Sequence, residues 1–118
     1  MSTPRYTWWG YVKSIIRRYP RLCRENPAPE SVGGREKQAV EQAIERTRRR
    51  RDGEERLRLI ELVFWKESHT LAGAALCCHV SERTARRWHG EFIRLAALCF
   101  GLLDPETEPV TERVETGA

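Results

Sequence analysis

The stretch LAGAALCCHVSERTARRWHGEF, residues Leu71 to Phe92, decides how this chain is read. With Thr70 as N-cap, Leu71, Ala74, Ala75 and Cys78 recur at helical spacing and form one apolar face of a short helix. His79 then falls at a turn, Val80 points inward and Ser81 caps a second helix. In that helix Ala85, Trp88, Phe92 and Leu95 share a buried stripe, while Glu82, Arg83, Arg86, Arg87 and Gly90 fall on the opposite, exposed side. The expected pattern is helix, tight turn, helix, with arginines on the solvent face. Ala74, Ala75 and Ala85 permit a close, steep crossing that leucine would prevent.

The same stretch invites two other readings, and spacing argues against both. Zinc sites offer ligand pairs two to four residues apart, twice over. Cys77, Cys78, His79 and His89 do not match, because neighbouring side chains on a helix point about 100° apart and do not converge on one ion. As for catalysis, the cysteines lie in an apolar run where burial makes a thiol inert, and the chain has no glycine-rich phosphate loop. Neither an enzyme nor a metal or cofactor site is expected. Duplex DNA suits the spacing: the second helix can enter a major groove about 12 Å wide, presenting Glu82, Arg83, Arg86 and Arg87 to base edges. Arginine pairs bidentately with guanine, and glutamate accepts from cytosine. Ser81, Thr84 and Arg94 complete the expected DNA-contacting set.

Outward from this stretch, the N-terminal segment YTWWGYVKSIIRRYP sets Trp8, Val12, Ile15 or Ile16, and Tyr19 on one stripe, which predicts an aromatic helix within residues 1–23. Pro20 is expected to end it. Residues 24–34, RENPAPESVGG, carry two prolines and two glycines and read as a linker. A second helix from Arg35 to Arg50, with Ala39 or Val40, Ala43, Ile44 and Thr47 as its thin apolar face, is expected to be buried only shallowly. It runs into Arg46, Arg48, Arg49, Arg50 and Arg51, which could line a phosphate backbone or be a solvated helix end. Asp52 and Gly53 read as a turn and N-cap, leading to a third helix with the stripe Leu57, Ile60, Val63 and Phe64, closed by Trp65.

No alternating strand pattern survives, so the expected fold class is all-α, with a helical domain over residues 35–103 containing the helix-turn-helix at 70–95. With 40% hydrophobic and 32% charged residues in 118, one domain with a modest core is expected. No apolar run approaches a membrane span and no signal peptide is evident, so a cytoplasmic chain without membrane contact is expected, its four cysteines (Cys23, Cys77, Cys78, Cys99) reduced, small buried apolar residues. The net charge of +4 conceals an asymmetry: residues 104–118 hold five acids against one arginine, leaving +8 on residues 1–103. That basic body favours a polyanion. The acidic tail, with Pro105 and Pro109, is expected to be disordered.

The segment TLAGAALCCHVSERTARRWHGEFIRL resembles the helix-turn-helix of sigma-factor region 4, aligning without a gap to its pattern T-L-x-x-I-A-x-x-L-x-V-S-x-x-T-V. YVKSIIRRYP, DGEERLRLIELVFWKESHTLAGAAL and ARRWHGEFIRLAALCFGLL resemble more closely the small phage late-gene regulators of the RinA or ArpU type. The resemblance covers most of residues 6–103. It implies a sequence-specific DNA-binding regulator, an activator of late operons in a prophage. RNA polymerase and a second copy of the chain are further candidate partners, which the resemblance does not decide. His79 departs from the sigma pattern, which has glycine in a left-handed turn there; histidine adopts that conformation at a cost. The competing readings are a small terminase-like packaging component, a sigma-like factor that binds RNA polymerase directly, and a protein-interaction module that binds no DNA.

Overall fold

In the computed structural model, which describes residues 7–102, the regular elements are all helical. They are α1 (Trp9–Glu25), α2 (Val32–Arg48), α3 (Gly53–Ile60), α4 (Leu71–Cys77) and α5 (Glu82–Phe100), and α3 runs on into a single π-helical turn, Glu61–Trp65. None of these helices is long and apolar enough to cross a membrane. The acidic tail at 104–118 lies outside the described residues.

The aromatic helix is part of the core rather than an appendage. Val12, Ile15 and Ile16 of α1 are buried, and Trp8, Trp9 and Tyr19 pack against the same cluster from its edges. Contrary to expectation, Pro20 does not end α1, which continues to Glu25. Proline lacks the N–H that would bond the carbonyl four residues earlier. That carbonyl, on Ile16, accepts instead from Trp65 Nε1 at 2.7 Å, so the deficit inside α1 becomes a tie between α1 and the π turn. The helix stops at Asn26, left-handed at φ 48°, whose N–H bonds the Leu22 carbonyl. The linker therefore shrinks from 24–34 to 26–31, and α2 begins at Val32 under the cap of Ser31, whose Oγ accepts from the Gly34 N–H at 3.0 Å.

Burial of α2 is deep, not shallow: Ala39, Val40, Ala43 and Thr47 are all buried. Its small residues let its backbone lie close along α5, its principal neighbour. Glu36 is buried as well, accepting from the Tyr11 hydroxyl at 2.6 Å and pairing with Arg18 at 3.3 Å. Burial, reinforced by the bond to Glu36, pushes the Tyr11 phenol up to about 12. The turn at Asp52 and Gly53 forms as expected, although Asp52 is left-handed at φ 57° and its side chain caps nothing. Gly53 is required there, because a Cβ would run into the carbonyls of Thr47 and Arg48.

The π turn closes the third helix. Its wider winding is closed by the Lys66 N–H to the Glu61 carbonyl at 2.8 Å. The fully buried positions are Leu59, Ile60, Leu62 and Phe64, whereas Leu57 and Val63 of the expected stripe are only partly covered. Ile60 and Phe64 join a first core cluster with α1, α2 and the second half of α5. Leu59 and Leu62 join a second cluster with Ala74, Ala75, Cys78, Ala85 and Trp88, which seats α4 and the first half of α5 on α3. One helix, α5, thus runs through both cores.

Candidate nucleic-acid interface

The pair α4 and α5 is capped at both starts by the expected residues. Thr70 Oγ1 accepts from the Gly73 N–H at 3.1 Å, and Ser81 Oγ accepts from the Thr84 N–H at 3.0 Å. Between them His79 is left-handed at φ 59°. The Val80 N–H closes the turn on the Ala75 carbonyl at 3.0 Å. Ala74, Ala75, Ala85 and Trp88 are buried between the helices, with Val80 and Leu71 packed against them. Trp88, 4% exposed, is the largest side chain of this cluster and carries the Arg56 guanidinium over its ring at 5.3 Å.

With one stripe of α5 consumed by the core, its first two turns present Glu82, Arg83, Arg86 and Arg87 to solvent. Glu82 and Arg86 pair with each other at 2.6 Å. Ser81 and Thr84 are occupied in capping, the Ser81 hydroxyl lying 3.0 Å from the Thr84 hydroxyl. Arg94 stands apart from the other six expected contact residues. It lies twelve positions beyond Glu82, about 18 Å along the helix axis. There it is partly buried beside Gly90, near Trp9 of α1, with its Nε buried and without a hydrogen-bond partner.

Sequence reasoning missed the group that organises this surface. Glu91, 5% exposed, binds the equally buried Arg56 at 2.7 Å. The same carboxylate has Arg50 at 3.9 Å and Arg87 at 3.9 Å. A residue of the basic run after α2 and a residue of the α5 arginine face are thereby drawn to one anion. Burial lowers the affinity of the Arg56 guanidinium for its proton, and Glu91 opposes that shift. The signal was in the helical phase: position 91 falls between Trp88 and Leu95 on the apolar stripe, and position 56 precedes Leu59 and Ile60 on theirs. A charge at a core position calls for a buried partner of opposite sign. Arg48 and Arg49 of the same run pair locally with Glu45, at 2.9 and 3.7 Å.

The cysteines divide. Cys78 is buried and its thiol is pushed up by that burial, and Cys99, partly buried, is shifted the same way for the same reason. Cys23 is exposed, which corrects its reading as a core residue: Pro20 did not stop α1, and position 23 falls on the solvent side of the extra turn. Cys77 is partly buried and contacts His69, not His79. Among the described residues no three histidines, cysteines or acids are grouped to hold a metal ion. Comparison with protein-family models, with curated proteins and with solved structures finds no match to this chain.

Proposed function

We propose that this chain is a sequence-specific DNA-binding protein whose α4 and α5 form a sigma-region-4-like helix-turn-helix, acting in transcription regulation as a late-gene activator in a prophage. The observation that carries the reading is the one-sided exposure of Arg83, Arg86 and Arg87 on the first two turns of α5, opposite the buried Ala85, Trp88 and Phe92. A helix held this way offers its polar end to a groove without disturbing its own packing. The placement of Arg50 and Arg87 around Glu91 supports an extension of the surface toward a flanking phosphate. The prophage role rests on the resemblance to late-gene regulators.

Selection of bound sequences from a random duplex pool, followed by alanine variants, tests the reading. At least one of Arg83→Ala, Arg86→Ala and Arg87→Ala should cost on the order of 1–3 kcal/mol on the preferred site and relax one base position. Changing Arg50 and Arg51 to alanine should weaken binding to all duplexes about equally and reduce the salt slope by roughly one unit per lost contact. Site preference surviving the loss of all three α5 arginines would remove α5 as the reading helix.

A further inference from the structure

At the end of α4 and in the residues before it lies a nucleophile with a base. Cys77 Sγ sits 3.2 Å from His69 Nε2, and the other ring nitrogen, Nδ1, sits 2.8 Å from Ser68 Oγ. In the tautomer with Nδ1–H donating to the serine hydroxyl, Nε2 is left with its lone pair toward the thiol. The local fold arranges this. His69 lies just before the Thr70 cap, outside α4, and positions 73 and 77 follow four residues apart along one line of the helix. Position 73 is glycine, so nothing blocks the lane between imidazole and sulfur, and the His69 Cδ2 lies 3.6 Å from where a Cβ of residue 73 would be. Cys77 and His69 are both only partly buried, so the pair is not sealed inside the core. Nucleophile, base and a third group orienting the base are the arrangement by which thiols are activated.

We propose that Cys77 is a modification site: a reactive thiol, with His69 as its base, that is oxidised by hydroperoxides. The thiol proton passes to His69 Nε2, and the sulfur lone pair attacks the nearer peroxide oxygen. An S–O bond forms as the O–O bond breaks, and the departing oxygen takes the proton from His69 and leaves as water or an alcohol. The sulfur is oxidised by two electrons to a sulfenic acid and the peroxide is reduced by two. This assignment is independent of whether the chain binds DNA.

The protein carries its own control. Cys23 is exposed, whereas Cys77 is partly buried, so accessibility alone would make Cys23 react first. Treatment of the folded chain with limiting hydrogen peroxide, trapping of sulfenic acid with a dimedone probe, and peptide mapping should show Cys77 labelled ahead of Cys23, Cys78 and Cys99. In urea the preference for Cys77 should vanish, since the pairing with His69 exists only in the fold. His69→Ala should slow oxidation of Cys77 about a hundredfold, the low end of what a positioned base contributes, while the Cys23 rate stays unchanged. Equal rates at Cys23 and Cys77 in the folded wild-type chain would overturn the proposal. So would undiminished Cys77 oxidation in His69→Ala with helicity and melting intact. If that variant fails to fold, the wild-type ratio of Cys77 to Cys23, native against urea, decides alone.

Discussion

Glu91 holds a carboxylate where helical phase asks for an apolar side chain, and three guanidinium groups answer it. A buried ion pair of this kind contributes little net stability over a well-packed apolar pair, but removing one partner strands the other. Glu91→Gln should therefore destabilise the fold by about 3–5 kcal/mol, because Arg56, 5% exposed, keeps its charge but loses the carboxylate that lies 2.7 Å from it. Urea melts of the two proteins measure this, and a loss under about 1 kcal/mol would mean that water reaches Arg56. At this scale the exposed arginines were legible from spacing alone. The partner of Arg56 was not, because it comes from a helix thirty-five positions away.

The elements were legible where a side chain signals its own backbone. Thr70 and Ser81 cap the helices they were expected to cap, since an N-cap is a bond across three residues of the same chain. Where the signal is local but the remedy distant, the expectation failed. Pro20 should have ended α1, and Trp65 supplies the missing donor from another element. The expected stripe of the third helix, Leu57, Ile60, Val63 and Phe64, does meet the core, but it was incomplete: Leu59 and Leu62 are buried too, because the helix and its π turn lie between two clusters. The turn between α4 and α5 carries a cost that can be measured. His79 is held at φ 59°, a conformation unfavourable for any side chain with a Cβ. Glycine relieves it at a smaller entropic cost in the unfolded chain, so His79→Gly should stabilise by up to about 1 kcal/mol. A thermal melt checks this, and a lowered midpoint would show that the imidazole makes a contact worth more than the strain.

Across the whole molecule, the join between α1, α5 and the π turn is closed by a ring stack. His89 lies flat on Phe64, centroids 5.1 Å apart and planes within 1°, while Arg17 of α1 lies 5.8 Å from the same Phe64 ring. Burial, and then Lys13 and Arg17 facing it from α1, push the imidazole down from its ordinary 6.5 to about 4. Below pH 6.5 the unfolded chain takes up a proton that the folded chain refuses until about pH 4, so stability is full above this window and falls as the pH is lowered through it. The loss amounts to roughly 3 kcal/mol by the bottom of the window. His89→Phe keeps an aromatic ring on Phe64 and should lose this part of the pH dependence. Urea melts at pH 7.5 and 4.5 compare the two proteins. An equal drop in both would assign the acid sensitivity to groups other than His89.

Fold class, both caps of the α4 and α5 pair and its exposed arginines were determined by the sequence itself, because each depends on residues within about two helical turns of one another. Only the tertiary structure decided that α1 belongs to the core, that α2 is deeply buried, that Arg50 and Arg87 meet at Glu91, and that Cys77 faces His69. Local dihedral preferences and side-chain spacing act along the chain and can be read from it. Pairing of a buried charge, rescue of an orphaned carbonyl and the approach of two helices depend on which segments fold against each other, and no residue announces that alone.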